Sequence, residues 1–195
     1  HVPLVLSEVN PEALDSHQGI VANPNCSTMQ MIVALKPIYQ AVGIERIVVS
    51  TYQAVSGTGQ HAVEELHDQA RAVLEAEEFP PPKVYPHQIA FNAIPQVESF
   101  KDGDDYTTEE RKMMAETRKI LGVGEEVGIS ATCARVPVFN GHSESVNVQT
   151  REPLDPGECR ELLAGAPGVV VLDDPAEGVY PLPTVAAGRD PVLVG

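Results

Sequence analysis

The chain has 195 residues, which is enough for one domain with a sizeable hydrophobic core. Its formal net charge of -15 at pH 7 disfavours a nucleic-acid partner, because phosphate binding requires clustered Lys and Arg. Hydrophobic residues make up 43% of the chain, but no apolar run approaches the roughly 20 residues of a membrane span. The sequence therefore predicts a soluble, cytoplasmic protein without a membrane partner.

The first half of the chain alternates short apolar segments with two helical patterns. Segments rich in Val, Ile or Leu predict strands at residues 1–6, 19–22 and 44–52. A helix is predicted over residues 26–40, and Pro37 should kink or shorten it. The spacing of apolar residues within 57–78 predicts a second helix.

The second half begins with a proline-stiffened connection at residues 79–86. A third helix should start at a capping box, in which Thr107 is followed three residues later by Glu110. The remaining segments predict strands at 127–138, 143–150, 169–172 and 190–195, and a short helix at 155–164.

These elements predict an α+β fold, a mixed β-sheet with helices packed on one face, formed by residues 1–195 as one domain. The segment Gly57-Thr-Gly-Gln-His-Ala matches the dinucleotide-binding pattern G-x-G-x-x-A. However, its glycines follow the strand by several residues, and no parallel βαβ repeat is predicted around it. The sequence therefore predicts that the chain contains no Rossmann domain.

Cysteine and histidine usage gives no indication of a disulfide framework or a metal site. The three cysteines are an odd number without a C-x-x-C pair, which is typical of a reducing compartment. No H-x-x-x-H or H-E-x-x-H pattern occurs among the six histidines. We assign no metal to the chain.

Cys26 is the first candidate for chemistry, in the segment Asn23-Pro-Asn-Cys-Ser-Thr. A strand ends there and a helix begins, so the helix dipole and unpaired backbone N–H groups should lower the cysteine pKa. The thiolate is the form that attacks a carbonyl carbon, and the same N–H groups could hold an oxyanion. The alternative is a small cysteine in a capped helix. Cys133 and Cys159 are expected to be inert.

Two further residues are candidates for assisting a nucleophile. His142 follows Gly141 before an alternating strand and is a candidate proton partner; a surface histidine is the alternative. Arg135 lies in an otherwise apolar strand and suits a carboxylate or phosphate, or else an internal ion pair.

Glu109 and Lys112 lie three residues apart on one helix face, where a solvated salt bridge is the simpler interpretation.

Five segments together resemble the aspartate-semialdehyde dehydrogenases over essentially the whole chain. They are Asn23-Pro-Asn-Cys-Ser-Thr, Tyr52-Gln-Ala-Val-Ser-Gly-Thr-Gly, Phe91-Asn-Ala-Ile-Pro, Glu109-Glu-Arg-Lys-Met and Arg135-Val-Pro-Val followed by Gly141-His-Ser-Glu. The resemblance implies the fold of the C-terminal domain in glyceraldehyde-3-phosphate-dehydrogenase-like enzymes. It also implies NADP-dependent interconversion of aspartyl phosphate and aspartate semialdehyde, a step toward lysine (by way of diaminopimelate), threonine and methionine.

The resemblance assigns a role to each matched residue. Cys26 would form a thioester with the substrate, and His142 would be the general acid/base. The substrate would be bound by Asn25, Gln53, Glu109 and Arg135, with Asn25 at the thioester oxygen, Glu109 at the amine and Arg135 at the carboxylate. Lys112 would bind phosphate, and Ser56 and Gly57 would contact NADP. No metal is implied.

The resemblance also implies an N-terminal Rossmann domain and a C-terminal helix in family members, and we expect neither within residues 1–195. Hydride transfer requires a positioned cofactor, so the isolated chain is expected to turn over poorly or not at all. The resemblance implies a homodimer formed through this domain. Two alternatives remain: a non-catalytic dimerisation scaffold, and a related acyl-phosphate reductase such as N-acetyl-glutamyl-phosphate reductase, whose cysteine lies in a different local sequence.

Overall fold

A computed structural model describes residues 2–195 of the chain. The helices are α1 (Cys26–Val42), α2 (Gln60–Glu75), α3 (Thr108–Leu121), α4 (Pro156–Ala164) and α5 (Pro183–Ala186). The strands are β1 (Ile44–Gln53), β2 (Gly128–Arg135), β3 (Ser143–Thr150), β4 (Val169–Val171) and β5 (Val192–Val194). Short 3-10 turns lie at Pro11–Ser16, Val55–Thr58 and Pro175–Glu177.

A three-stranded sheet in the order β2-β1-β3 forms the centre of the fold. Strand β1 pairs parallel with β2 and antiparallel with β3, so the sheet is mixed as predicted. One parallel crossover, which the sequence analysis did not predict, begins near Gly57, since the chain leaves β1 there and returns parallel along β2. The two carboxyl ends of β1 and β2, at Gln53 and Arg135, therefore meet at one edge.

Helices α1 and α3 cover one face of this sheet, and the main core lies between them. On β1 the inward side chains alternate with outward ones, as a half-buried strand requires. Ile47 and Val49 are fully buried, whereas Tyr52 on the opposite face is 46% exposed. The expected α+β fold with helices on one face of a mixed sheet is confirmed by this arrangement.

Several predicted boundaries shift for identifiable reasons. Helix α1 continues through Pro37 to Val42, because buried residues on either side of the proline compensate for one lost hydrogen bond. Strand β2 ends at Arg135, two residues before Pro137, and not at residue 138. The segments at 1–6 and 19–22 form only a single parallel bridge between Leu4 and Ala22, and His1 lies outside the described residues.

Two polar side chains of α2 hold the proline-rich connection in place. The Glu65 carboxylate accepts hydrogen bonds from the backbone N–H groups of Lys83 and Val84 at 2.6 and 2.7 Å. The buried Gln69 accepts from Ile89 and Ala90 at 2.9 and 3.2 Å. A connection with no regular structure is thereby fixed against the helix that follows β1.

Across residues 2–195, no helix is long and apolar enough to cross a membrane.

Candidate active site

Cys26 is the first residue of α1, as the sequence predicted. The preceding Asn25 caps the helix, and its side-chain oxygen accepts from the backbone N–H groups of Ser27 and Thr28 at 2.9 and 3.1 Å. These two donors are therefore occupied. The first turn of α1 offers fewer free N–H groups for an oxyanion than the sequence suggested.

The side chain of Asn25 also joins α1 to α3. Its amide nitrogen donates to Glu109 Oε1 at 2.8 Å, and its backbone N–H donates to Glu116 Oε2 at 2.7 Å. Glu109 and Glu116 lie seven residues apart, on one face of α3. The position of Cys26 is thus set by two carboxylates from a helix more than 80 residues away in sequence.

Gln53, at the end of β1, completes the surroundings of Glu109. Its amide nitrogen donates to Glu109 Oε1 at 3.0 Å and to Thr51 Oγ1 at 3.2 Å. The Gln53 and Glu109 residues are only 1% and 3% exposed. Both amide hydrogens of Gln53 are engaged, so its oxygen is the atom left for a ligand.

The thiol of Cys26 is less acidic than the helix terminus alone would make it. Partial burial raises the pKa of Cys26 above its ordinary value, and the negative charge of Glu109 raises it further. Backbone hydrogen bonds at Ser27 and Cys26 and the charge of Arg135 act in the opposite direction but do not prevail. The expectation of a lowered pKa at Cys26 is therefore wrong for this structure.

Arg135 lies at the end of β2 and is buried, with 6% of its surface exposed. One terminal nitrogen donates to the backbone oxygen of Ala54 at 2.8 Å, and the guanidinium lies 6.0 Å from the centre of the Tyr85 ring. Within residues 2–195, no acceptor reaches its Nε. A buried guanidinium with an unused donor is suited to a carboxylate ligand.

His142 lies just before β3 and faces the same end of the sheet. Its Nδ1 accepts a hydrogen bond from the backbone N–H of Ala54 at 3.0 Å. Burial, with a smaller contribution from the positive charge of Arg135, lowers the pKa of His142 to about 4. The imidazole is therefore neutral at physiological pH.

Ser56 and Gly57 lie in the 3-10 turn that follows β1. A Cβ added to Gly57 would lie 3.1 Å from both Cε1 and Nε2 of His142 and 3.4 Å from Arg135. A side chain at this position would displace the imidazole by a few tenths of an ångström, so glycine favours the close approach of this turn to His142. The backbone of Gly57 is exposed beside the site, which suits contact with a bound ligand.

Lys112 lies at the rim of this region, with 46% of its side chain exposed. Its ammonium group contacts Glu98 at 2.5 Å and lies 4.0 Å from Glu109. Glu98 also accepts a hydrogen bond from Thr108 Oγ1 at 2.6 Å, and its backbone is left-handed, with φ of 61°. A non-glycine residue in this conformation is strained, and its two polar contacts hold it there.

A cleft of about 850 Å³ has both Cys26 and His142 in its lining. Glu144 of β3 also lines this cleft, and burial raises its pKa to about 8 despite a hydrogen bond from Gln30. In the part of the chain that the structure describes, Glu144 Oε1 has no hydrogen-bond partner.

The structure therefore brings together the starts of α1 and α3 and the adjacent ends of the sheet strands. Sequence reasoning missed Glu116, Glu98 and Glu144. The spacing of Glu109, Lys112 and Glu116 on one helix face was the available signal for the first of these.

The other two cysteines differ from Cys26. Cys133 is fully buried against Met113, and burial raises its pKa to about 12. Cys159 is half-buried, and burial also raises its pKa. Among residues 2–195, no group of three or more His, Cys, Asp or Glu side chains is arranged to hold a metal ion.

A family model described as the semialdehyde dehydrogenase dimerisation domain matches residues 35–195. The chain belongs to the semialdehyde dehydrogenase family. An aspartate-semialdehyde dehydrogenase of Aquifex aeolicus (strain VF5) is 55% identical over 196 residues, covering 100% of this chain and 57% of the relative. The resemblance found in the sequence is thereby confirmed.

Solved structures of this family have the same fold. Aspartate semialdehyde dehydrogenase II from Vibrio cholerae complexed with ASA has a TM-score of 0.93 and 46% identity, covering 100% of this chain and 57% of that one. The Candida albicans enzyme with NADP has a TM-score of 0.65 and 25% identity, covering 97% of this chain and 55% of that one. The chain thus spans less than two thirds of its relatives.

Proposed function

We propose that this chain is the catalytic and dimerisation portion of an NADP-dependent aspartate-semialdehyde dehydrogenase, with Cys26 as its nucleophile. The observation that carries the proposal is the convergence of Cys26, Glu109, Arg135 and His142 at one end of the sheet. A nucleophile, a carboxylate, a buried cation and an imidazole are the groups needed to handle a small amino acid with a reactive carbonyl. The relatives with the same fold carry this activity in their names.

Substrate recognition follows from the charges of the site. The buried guanidinium of Arg135 has a free donor for the α-carboxylate of the substrate. Glu109 Oε1 already accepts two amide hydrogens, so Oε2 is available for the α-ammonium group. The opposite charges of Arg135 and Glu109 would fix the orientation of the amino acid at this end of the sheet. Lys112, at the rim, supplies the positive charge for phosphate.

The acyl transfer is the step that this chain can perform with its own residues. The thiolate of Cys26 attacks the carbonyl carbon of aspartyl phosphate, the tetrahedral adduct expels phosphate, and a thioester remains. The second amide hydrogen of Asn25 and the imidazole of His142 are the donors near the reacting oxygen. In the reverse direction, phosphate held by Lys112 cleaves the thioester.

The residues that would contact NADP on this side are Ser56 and Gly57. The turn that holds them fits such a contact, because Gly57 has no side chain and its backbone is exposed next to His142. NADP, when bound, supplies the hydride for reduction of the thioester or accepts it in the reverse direction. The rest of the binding site would come from a Rossmann domain, so we expect the chain alone to turn over poorly. Brisk NADP reduction by the purified chain would contradict this.

A homodimer in the cytoplasm is part of the same proposal. The family model describes a dimerisation domain, and the face of the sheet opposite α1 and α3 exposes Tyr52 and small polar side chains. Size-exclusion chromatography with light scattering should give twice the mass of one chain. A single species with the mass of one chain would contradict the dimer.

The experiment that tests the nucleophile measures acylation without cofactor. Purified chain is mixed with aspartyl phosphate, quenched in acid, and digested for peptide mass spectrometry. We expect an acyl thioester on the Cys26 peptide, none in Cys26→Ser, and unchanged acylation in the matched control Cys159→Ser. Labelling of Cys159 instead, or equal labelling of both cysteines, would refute the assignment and favour a non-catalytic scaffold.

A further inference from the structure

Arg135 carries the positive charge that the proposed function assigns to the α-carboxylate of the substrate. One of its terminal nitrogens donates to the backbone oxygen of Ala54 at 2.8 Å, and Nε has no acceptor within residues 2–195. In the same described residues, no carboxylate forms an ion pair with Arg135. A guanidinium has five N–H donors, so one hydrogen bond to the protein leaves its orientation to be set by other contacts.

The ring of Tyr85 is the aromatic group that lies beside this guanidinium. Arg135 Cζ is 6.0 Å from the ring centre, at the limit of the roughly 6 Å within which a ring attracts a cation. Tyr85 is half-buried and packs against an apolar cluster that includes Val55 and Ile94. Its hydroxyl donates to Thr58 Oγ1 at 3.0 Å. The hydroxyl end of the ring is therefore tied to the 3-10 turn that follows β1.

The backbone around Tyr85 is anchored independently of the contact with the guanidinium. The Glu65 carboxylate of α2 accepts hydrogen bonds from the backbone N–H groups of residues 83–85 at 2.6, 2.7 and 3.4 Å. Further along the chain, Ile94 exchanges two backbone hydrogen bonds with Arg135, each of 2.9 Å. Helix α2 and strand β2 therefore hold this connection at two points, and the ring is in place before any ligand binds.

An aromatic ring orients a cation in a way that a carboxylate cannot. A carboxylate would neutralise the guanidinium and compete with the substrate for its N–H donors. The Tyr85 ring has no net charge, and its π electrons attract the cation without using those donors. Burial raises the pKa of the Tyr85 hydroxyl, so the side chain is neutral at physiological pH. The ring can therefore hold Arg135 while its charge and donors stay available for the α-carboxylate.

We propose that Tyr85 is a positioning residue for substrate recognition, whose ring orients the Arg135 guanidinium toward the α-carboxylate and whose hydroxyl is tied to Thr58. This inference rests on the proposed function and adds to it a residue that contributes to substrate specificity. Because Tyr85 acts through Arg135, its removal should weaken recognition of the α-carboxylate and leave the chemistry at Cys26 intact.

The experiment compares two acyl phosphates on the same protein. Aspartyl phosphate has the α-carboxylate, and 3-aminopropanoyl phosphate is the same molecule without it. Each would transfer its acyl group to the Cys26 thiolate with release of phosphate, and acid quenching followed by peptide mass spectrometry measures the rate. The ratio of the two second-order rate constants reports how well the protein recognises the carboxylate. This ratio does not depend on the fraction of folded protein, because both substrates meet the same molecules.

Tyr85→Leu should lower this ratio about fivefold, because it removes the ring from the guanidinium. The matched control is Tyr106→Leu, which removes a ring whose centre lies 4.5 Å from Arg111, a cation outside this site. The control should leave the ratio unchanged. An unchanged ratio in Tyr85→Leu, or an equal decrease in Tyr106→Leu, would overturn the proposal.

A double-mutant cycle tests whether Tyr85 acts through the guanidinium. In an Arg135→Ala background, Tyr85→Leu should not lower the ratio further, whereas additive decreases would overturn the proposal.

Two conservative variants test the hydroxyl contact and still decide if Tyr85→Leu does not fold. Tyr85→Phe and Thr58→Val each remove the same hydrogen bond, so each should lower the ratio about twofold, and the double variant should lower it no further. No decrease in either variant would overturn the role of the hydroxyl. Absence of Cys26 acylation by both acyl phosphates in the wild type is a different outcome, which would refute the proposed function and the role of Tyr85 with it.

Discussion

Glu109 of α3 and Glu144 of β3 are two carboxyl groups that differ in the hydrogen-bond donors around them. Glu109 accepts N–H donors from Asn25 and Gln53 and has Lys112 at 4.0 Å. Glu144 leaves Oε1 without a partner among residues 2–195, and burial raises its pKa to about 8. Glu109 is buried and Glu144 is half-buried, and the two carboxyl groups differ chiefly in the hydrogen-bond donors around them.

The difference has a functional meaning for the candidate site. The Glu109 carboxylate is preorganised for a positively charged ligand, because Asn25 and Gln53 hold it in place without substrate. The side with Glu144 carries an unused polar atom in a cleft, which costs stability whenever the group is charged. Removing the Glu109 carboxyl should therefore lower the free energy of unfolding, whereas removing the Glu144 carboxyl should raise it.

The largest effect is expected from Glu109→Ala, which leaves the amide groups of Asn25 and Gln53 without their acceptor. Each unsatisfied buried donor costs about 1–3 kcal/mol, so we expect a loss of about 3 kcal/mol in the free energy of unfolding. Urea denaturation measures it. The control Glu125→Ala removes a carboxylate whose side chain is 88% exposed and should change stability by less than about 1 kcal/mol. A loss of less than about 1 kcal/mol in Glu109→Ala would show that the hydrogen bonds from Asn25 and Gln53 to Glu109 contribute little to stability.

Glu144→Gln should stabilise the protein at alkaline pH. The folded pKa, about 8, lies above the ordinary 4.5, so the favourable contribution is present below about pH 4.5 and is lost as the pH rises through 8. Because the cleft admits water, we expect the variant to gain about 2 kcal/mol relative to wild type between about pH 5 and 8.5. Unfolding measured across that range tests this, with the exposed Glu152→Gln as control. Parallel stability curves for wild type and Glu144→Gln would contradict it.

Gly57→Ala should impair chemistry more than folding. The new methyl group would come within 3.1 Å of the His142 ring, which must then move by a few tenths of an ångström. We expect Cys26 acylation to slow about tenfold, because reacting groups tolerate little displacement. Gly165→Ala, whose added carbon would meet only atoms 3.8 Å away, is the matched control. Equal acylation rates in the two variants would argue against a role for the close contact.

The smallest effect is expected at the rim. Hydrogen bonds from Lys112 and Thr108 lower the pKa of Glu98, although partial burial opposes them, so Glu98 is a charged competitor for Lys112. Glu98→Gln should strengthen binding of inorganic phosphate about threefold, as measured by calorimetry. Asp104→Asn, which breaks the neighbouring pair with Arg111 at 2.5 Å, should leave it unchanged. Equal affinities in all three proteins would mean that Glu98 does not restrain Lys112.

The sequence predicted the parts of the site that depend on local signals. The helix start at Cys26 and the capping box at Thr107 are indicated by neighbouring residues, and both are confirmed. The fold class followed from alternating strands, and the family from five motifs taken together. These signals do not depend on where distant segments meet.

What the sequence did not predict depends on distant contacts. Glu116 reaches Asn25 across 91 residues, and the Ala54 N–H that donates to Nδ1 of His142 lies 88 residues away from it. The raised pKa of Cys26 comes from Glu109 and from burial, neither of which a local pattern contains. Glu98 lies in an irregular segment, so no periodic pattern indicated its ion pair.

The double role of Asn25 restricts which amino acids the position can accept. Helix capping by itself would admit Ser, Thr, Asp or Gly as well. At this position, however, the side chain must accept from α1 and also donate to Glu109. Aspartate has no donor and would repel the neighbouring carboxylate, glycine has no side chain, and a hydroxyl group is too short to serve both helices. Of the residues that cap helices well, asparagine is the one that meets both requirements. Helix α3 therefore limits which amino acids can replace Asn25, the residue before the nucleophile.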